Sequence, residues 1–321
     1  MNFGIYTLAN DVVYDQLVAL LNSIERNCGA GVPVCIIPYD DQLDLIKAEI
    51  GRRRQVSLFD NTESIARWDN FVHQFHQLYL NYPHPGIQHK RHLCLNIHRK
   101  YAAFDGELSP FLFIDVDTLL FQPLDHVFAA LNTHDFVVHD FQRLTCRRRQ
   151  VPAGYLQVFP DAYPSQAELE KRFHCSGFWA SKSGVISPDD LPEFIQALGA
   201  GDMRALNYEW LGEQSILNYM TFKKNLRLYN FTFDETSPHY TGVCITSDHF
   251  VEQDHILYDH GKKLTYLHYM GIQNHWLHKL CAWKKLGLPL NPLFLKLADK
   301  LFKWQLSKIP YKEIFLYYRF L

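Results

Sequence analysis

The first 60 residues alternate between short apolar runs and amphipathic segments. Residues 2–8 and 34–37 are apolar runs typical of strands, and residues 12–27 carry leucine and isoleucine at helical spacing. A helical segment over 43–50 and an apolar run over 55–59 repeat the pattern. Such alternation predicts an α/β fold with a mostly parallel sheet and right-handed crossovers. A chain of 321 residues can bury a large core in this architecture.

The stretch FLFIDVDTLLF, residues 111–121, contains a candidate metal site at the end of a strand. Its apolar run ends at Asp115 and Asp117. In open α/β sheets ligands bind beyond the carboxyl ends of strands, and the alternating side-chain directions send both carboxylates to one side. Two hard oxygen ligands suit Mg²⁺ or Mn²⁺, which complete their coordination with water and substrate phosphates.

Two other interpretations of Asp115 and Asp117 stay open at this point. The acids can simply end a strand and begin a loop, because a pattern of two carboxylates is short and common. One of them can also be the aspartyl nucleophile of a haloacid-dehalogenase-type phosphatase. That motif has a glycine between the second acid and the threonine, whereas Thr118 follows Asp117 directly.

The chain lacks the glycine-rich loops that hold nucleotide phosphates in other folds. Neither G-x-G-x-x-G nor G-x-x-x-x-G-K occurs in it, so the phosphates of a bound nucleotide would depend on a metal at the two aspartates. A basic helix is predicted over residues 90–104. Its cations would either steer an anionic donor or form a solvated charged face; they are Lys90, Arg91, Arg99 and Lys100.

Composition excludes several classes of protein. Hydrophobic residues make up 47% and charged residues 21%, as in ordinary globular chains, which excludes a disordered protein. The seven cysteines are scattered, with no C-x-x-C pair, which argues for reduced thiols and against a zinc site. Because the N-terminus lacks a basic signal region and no apolar run is long enough to span a membrane, we expect a cytoplasmic protein. Nucleic acid is not an expected partner.

The last 46 residues are basic. Trp276 to Leu321 hold nine Lys and Arg against two acids, while the net charge of the whole chain is −2. The spacing predicts two helices separated at Pro310. In the first, one face carries Leu293, Leu297, Leu301 and Trp304, and another carries Lys296, Lys300 and Lys303. Such a segment either rests on an anionic membrane surface or packs on its own domain with the lysines solvated.

Four motifs, in chain order, resemble those of the GT-A nucleotide-sugar glycosyltransferases, and within them glycosyltransferase family 8, the glycogenin and galactosyltransferase branch. FLFIDVDTLLF is similar to the strand that ends in D-x-D, and HCSGFW to the F-N-[AS]-G segment. EQSILN resembles the D-Q-x-x-L-N helix, and HYMGIQNHW the terminal H-x-x-G-x-x-K-P-W. The matched span runs from the first strand to Trp276.

The resemblance implies a fold and an activity. The fold is GT-A, a Rossmann-like mixed, mostly parallel sheet flanked by helices. A catalytic domain over 1–276 would be divided into a nucleotide-binding half (1–118) and an acceptor and sugar half (119–276), and a basic amphipathic helical tail would follow over 277–321. The activity is that of a hexosyltransferase that moves a sugar from a nucleotide sugar, expected to be a UDP-sugar, to a saccharide or lipid-linked acceptor with retention of configuration. Mn²⁺ or Mg²⁺ would be held by Asp115, Asp117 and His268.

The resemblance also implies the residues around the donor. Those expected near the nucleoside, the ribose or the phosphates are Thr7, Asn10, Asp40, Asp115 and Gly271. Those expected around the sugar are Ser176 and Gly177, together with Glu213 and Gln214 as catalytic residues. The tail would bring possible peripheral contact with the membrane.

The chain departs from the family pattern at four positions. Asn274 stands where a phosphate-binding lysine is expected and His275 where proline is; Cys175 replaces Asn and Glu213 replaces Asp. Either His275, Lys279 or one of Arg147 to Arg149 supplies the missing cation, or the donor is bound differently. Two alternatives stay open: a metal-dependent phosphohydrolase or nucleotidyltransferase that uses Asp115 and Asp117, and, because of Asn274, a nucleotide-sugar-binding protein without turnover. An inverting enzyme with a carboxylate base also stays open.

Overall fold

The structure is a computed structural model, and it describes residues 3–82, 96–139, 154–159, 165–206, 212–240 and 249–321. Some residues named above lie outside these ranges. They are Lys90, Arg91 and the three arginines Arg147 to Arg149.

A seven-stranded mixed sheet organises the described part of the chain. Its strands, in spatial order, are β3 (Val56–Leu58), β2 (Val34–Pro38), β1 (Gly4–Ala9), β4 (Phe111–Ile114), β7 (Phe178–Ser181), β6 (Phe136–Val138) and β8 (Leu228–Asn230). Strands β3, β2, β1 and β4 are parallel neighbours, whereas β7 runs antiparallel to both β4 and β6. The predicted mixed, mostly parallel sheet is confirmed. The carboxyl ends of β1, β2 and β4 therefore meet at one edge.

Two hydrophobic clusters lie against the two faces of this sheet. In β1 the side chains alternate, with Tyr6 and Leu8 in one cluster and Ile5 and Ala9 in the other. A 3-10 helix over Ile97–Asp105 contributes to the first cluster. The α-helices of the main body are α1 (Tyr14–Asn27), α2 (Asp44–Ile50), α3 (Thr62–Asn81), α4 (Asp125–Ala130), α5 (Gly154–Val158), α6 (Gln166–Arg172), α7 (Asp190–Gly199) and α8 (Glu213–Lys223).

A second strand pairing brings the last third of the chain to the central motif. Strand β5 (Thr118–Leu120) pairs antiparallel with β12 (Tyr266–His268), so that His268 lies opposite Thr118. The amide of Tyr269 donates to the carbonyl of Asp117 at 2.8 Å. Between these strands in sequence is a small antiparallel sheet of β9 (Val251–Gln253), β10 (Ile256–Asp259) and β11 (Lys262–Lys263).

The chain ends in three helices, α9 (Asn274–Lys285), α10 (Pro292–Phe302) and α11 (Lys312–Arg319). Trp276 is in the first turn of α9, because no helix breaker follows Gly271. Helix α11 packs on α1, and the Asn22 side chain donates to the carbonyl of Tyr318 at 2.6 Å. In the described ranges, every helix is too short or too polar to cross a lipid bilayer.

Candidate active site

Three potential metal ligands meet at the carboxyl edge of the sheet. Asp115 and Asp117 follow β4, and His268 ends β12. The Nε2 atom of His268 lies 3.1 Å from Oδ1 of Asp117 and 3.9 Å from Oδ2 of Asp115. One ligand atom from each residue lies within 4.8 Å of the other two. Two carboxylate oxygens and one imidazole nitrogen form a donor set that fits Mn²⁺ or Mg²⁺.

Gly177 leaves the space that this donor set needs. A Cβ atom at residue 177 would lie 2.7 Å from Cε1 of His268 and 2.9 Å from Oδ2 of Asp115. Both distances are well below ordinary van der Waals contact. The carbonyl of Gly177 also accepts a hydrogen bond from the Asp115 amide at 2.9 Å. Any larger residue here would displace potential metal ligands.

Lys100, predicted to lie on a charged helix face, is completely buried beneath the site. Its Nζ atom lies 2.9 Å from Oδ1 of Asp115 and 3.6 Å from Oε1 of Glu213. Burial lowers the pKa of the ammonium group, but the two carboxylates outweigh burial and hold that pKa above its usual value. Lys100 therefore links the aspartate after β4 to the start of α8. Sequence periodicity carries no signal for this role.

Two further contacts fix the segment that precedes β7 against α8. The Ser176 hydroxyl donates to Oε1 of Glu213 at 2.8 Å. The Asn218 side chain accepts from the His174 amide at 3.0 Å and donates to the His174 carbonyl at 2.7 Å. Ser176 and Glu213 are thereby held in one position relative to the donor set.

A cavity of about 630 Å³ lies over the donor set. This volume falls in the range of sites for small molecules and cofactors. The lining residues include most of those that the sequence predicts for the site: Asn10, Asp40, Asp115, Asp117, Ser176, Glu213, Gln214, His268 and Gly271. Two other predicted site residues do not line the cavity. Thr7 is fully buried in β1, and Gly177 is buried against His268.

Asn10 and Asp40 form a polar wall of the cavity at the ends of β1 and β2. The side-chain Nδ2 of Asn10 donates to Oδ2 of Asp40 at 2.8 Å, and Oδ1 of Asn10 accepts from the backbone amide of Val12 at 3.2 Å. The other carboxylate oxygen of Asp40 accepts from the amide of Gln42 at 2.9 Å. These local bonds hold both side chains in place before any ligand binds.

The cavity wall is acidic. Its described lining contains four carboxylates and neither lysine nor arginine; the four are Asp40, Asp115, Asp117 and Glu213. Asn274 also lines the cavity and accepts from the Gln16 side chain at 3.3 Å. Lys279 instead lies over the rings of Trp276 and Trp304, at 4.7 and 5.2 Å. A phosphate-bearing ligand would therefore be repelled here unless a cation accompanied it.

Burial and pairing shift the pKa values in the site in different directions. Desolvation raises the pKa of the Asp115 carboxyl above its ordinary value, although Lys100 opposes this. Desolvation also acts on Asp117 and His268, but their mutual attraction outweighs it, lowering the pKa of the acid and raising that of the imidazole. For Glu213, Lys100 and Ser176 outweigh burial and lower the pKa. Asp117 and His268, whose Oδ1 and Nε2 atoms lie 3.1 Å apart, thus each favour the charged form of the other.

A second potential metal site lies away from the cavity, in the small sheet. Oδ1 of Asp259 lies 2.7 Å from Nε2 of His249 and 3.5 Å from Nε2 of His260. The carboxylate is buried, while both imidazoles are exposed. Two nitrogen donors suit zinc and other transition metals better than Mg²⁺. Metal-binding measurements on this chain must therefore distinguish two donor sets.

The chain is similar to known proteins in its structure. No protein-family model matches the chain, and no curated protein sequence matches it. The structure of the galactosyltransferase LgtC with donor and acceptor sugar analogs is similar at 13% identity, with a TM-score of 0.50 over 85% of this chain and 89% of that one. An active-site mutant of LgtC gives 11% identity and a TM-score of 0.51 at the same coverage.

The apo structure of WbbM, a bifunctional glycosyltransferase, is similar at 16% identity, with a TM-score of 0.50 over 85% of this chain. The match spans only 46% of the WbbM chain. At such identities the likeness shows the fold, and the predicted GT-A fold is confirmed. The narrower resemblance to family 8 stays a prediction.

Proposed function

We propose that this chain, which has the GT-A fold, is a metal-dependent glycosyltransferase acting from a nucleotide sugar on a saccharide or lipid-linked acceptor. One observation carries the proposal: Asp115, Asp117 and His268 meet within 4.8 Å at a cavity of about 630 Å³. The solved structures that share the fold include a galactosyltransferase with donor and acceptor sugar analogs. The hexosyltransferase type and a UDP-sugar donor are parts of the same proposal.

Asp115, Asp117 and His268 are the residues that would hold Mn²⁺ or Mg²⁺. Their oxygen and nitrogen atoms suit either ion. The four carboxylates of the lining would repel a diphosphate, so a bound cation is needed to offset their charge. The ion, when bound, would stabilise the negative charge that develops on the diphosphate as the nucleotide departs. Lys100 contributes by holding the Asp115 carboxylate in place from below, at 2.9 Å.

In this proposal the polar wall of Asn10 and Asp40 contacts the nucleoside. Its side-chain amide and carboxylate groups are already oriented by local bonds, which reduces the entropy lost on binding. Thr7 is fully buried in β1, three residues before Asn10. Gly271 has a φ of +82° and an open surface where a Cβ would stand, so that its backbone can approach phosphate oxygens closely.

Glu213 and Gln214 lie at the start of α8 and line the part of the cavity assigned to the sugar. The Glu213 carboxylate is held by the Ser176 hydroxyl and faces Lys100, so it would orient sugar hydroxyls as a fixed acceptor. Glu213 and Gln214 would also help to hold the acceptor oxygen against C1 of the sugar and to exclude water.

Retention of configuration is a further part of the proposal, and it follows from the resemblance to family 8. An inverting enzyme would instead use a carboxylate as general base toward the acceptor hydroxyl. Proton NMR of the first-formed product reports the anomer, and a product of inverted configuration would contradict this part of the proposal.

A thermal-shift screen tests donor and metal together. UDP, GDP, CDP and their sugars are added with and without Mn²⁺, and we expect UDP with Mn²⁺ to raise the melting temperature most. A ligand at a hundred times its Kd stabilises by about 2.7 kcal/mol. Asp117→Ala should abolish the metal-dependent part of the shift. Gly177→Ala keeps all three ligands but crowds them, and it should raise the apparent Kd for Mn²⁺ about tenfold or more.

The matched control is His260→Ala, which removes an exposed ligand of the second donor set. It should leave the UDP-dependent shift unchanged. A shift that survives Asp117→Ala but is lost in His260→Ala would contradict the proposed site. Release of phosphate from p-nitrophenyl phosphate would favour a phosphohydrolase, and UDP binding without turnover of any UDP-sugar would favour a binding protein.

A further inference from the structure

Helix α10 presents a row of leucines to solvent. Leu293, Leu297 and Leu301 follow one another at a spacing of four residues and are 75%, 50% and 66% exposed; we call them the leucine stripe. The opposite side of the helix is buried through Leu295 and Ala298, at 0% and 2%. Phe294, which is 45% exposed, lies next to the stripe by its helical position. Contiguous exposed apolar surface of this kind marks an interaction site.

The orientation of the stripe is set by bonds at both ends of α10. Asn291 caps the N-terminus by accepting from the amide of Phe294 at 3.0 Å, and Pro292 occupies the first turn. Near the C-terminus, the Asp299 carboxylate accepts from the amides of Leu306 and Ser307, at 2.7 and 3.0 Å. Because these contacts fix the buried face, the helix cannot rotate to cover its leucines without breaking them.

Positive charge borders the stripe. Lys296 and Lys300 are exposed, and their helical positions place them along one edge of the leucines. Two more exposed lysines, Lys284 and Lys285, precede α10 in the sequence. They end α9 and are followed by Leu286, which is 75% exposed. A second copy docked stripe to stripe would bring two sets of like charges together. An anionic lipid surface would instead neutralise the lysines while its acyl boundary accepts the leucines.

We propose that the leucine stripe, bordered by Lys296 and Lys300, is a docking surface for an anionic lipid bilayer, with α10 lying in the plane of the interface. The leucine side chains enter the boundary between headgroups and acyl chains, and the lysine stems extend along it to reach lipid phosphates. Binding through one such helix is reversible and weakens as salt rises. The surface requires no sugar transfer, so it stands apart from the proposed function.

Vesicle flotation with the full chain tests this surface. The vesicles are phosphatidylcholine alone or phosphatidylcholine with one-third phosphatidylglycerol, and we expect flotation with the anionic ones. The variant Leu297→Ser/Leu301→Ser should lower the partition coefficient about tenfold or more, since it removes two inserted side chains. Lys296→Gln/Lys300→Gln should lower it about fivefold for each charge removed.

The matched control replaces two exposed apolar residues elsewhere, Leu45→Ser/Val251→Ser, at 48% and 57% exposure. It should float as the unaltered chain does. Equal flotation of the stripe variant and the unaltered chain would overturn the proposal, and so would the absence of flotation with anionic vesicles. The proposal would also be overturned if the unaltered chain were a dimer, the stripe variant a monomer, and neither floated. The stripe would then bind a second copy of the chain.

The UDP and Mn²⁺ thermal shift is measured on the same variants. An intact shift in a protein that does not float overturns the docking surface alone. Flotation without any UDP shift contradicts the proposed function alone.

Discussion

The ammonium group of Lys100 lies between two carboxylates under the floor of the cavity. It has no exposure to water and makes a direct hydrogen bond to Asp115, while Nζ also lies 5.1 Å from the centre of the Phe113 ring. A buried charge of this kind is tolerated because its partners are opposite charges in close contact. Removing one member leaves the others uncompensated, so this residue connects stability to the geometry of the site.

Lys100→Met should destabilise the protein by about 3 kcal/mol, because it leaves the Asp115 carboxylate without its partner at 2.9 Å. Urea unfolding measures the change. Adding Asp115→Asn should recover part of the loss, with a coupling of about 1 to 3 kcal/mol in the double-mutant cycle. Strictly additive losses would show that the two side chains do not interact in the folded protein.

Helices α10 and α11 are both amphipathic but have opposite relations to the core. In α11 the buried residues are Ile314, Phe315, Leu316 and Tyr318, which pack in a cluster with residues of β5, β12 and α9. In α10 only Leu295 and Ala298 are buried. Of the two interpretations of the tail, packing therefore describes α11, while the exposed leucines of α10 are the basis for the membrane proposal.

Phe315→Ala tests the packing of α11. Phe315 is 1% exposed, so we expect a loss of about 3 to 5 kcal/mol in the free energy of unfolding, from lost burial and the cavity left behind. The control is Phe320→Ala, which truncates a ring that is 41% exposed and should cost less than about 1 kcal/mol. Similar losses in both variants would contradict the contrast between the two positions.

At the scale of the whole molecule, core contacts cross the boundaries expected at residues 118 and 276. A single hydrophobic cluster contains Ala19, Leu267, Leu280 and Leu316, which come from both sides of the two boundaries. The pairing of β4 with β7 joins the two sides of the first boundary, and α11 packs on α1 from beyond the second. The division into a nucleotide half, an acceptor half and a tail stays a prediction.

Because of these shared contacts, we expect the chain to unfold in one cooperative transition. Differential scanning calorimetry should give equal calorimetric and van't Hoff enthalpies. Removing residues 311–321, which include α11, should lower the melting temperature of that one transition. A separate low-temperature transition that disappears on truncation would show instead that the tail unfolds independently.

Local patterns predicted the elements around the site well. The central strand was expected over Phe111–Ile114 and is observed over those residues, because an apolar run that ends at two acids marks its own boundary. The opening strands and helices agree within two residues at their ends. The predicted helix over 90–104 is different: its described part is a 3-10 helix over Ile97–Asp105. The four motifs located most of the cavity lining, since each follows or begins a regular element.

By itself the sequence determined where strands end in acids and which helices have two faces, because side-chain periodicity acts over a few neighbouring residues. Only the tertiary structure decided three things: that His268 lies 3.1 Å from Asp117, that Lys100 lies buried between Asp115 and Glu213, and that α10 turns Leu293, Leu297 and Leu301 outward. The physical reason is the same for all three. Which distant segments pair, and which face is covered, depends on how the complete set of elements packs around the core.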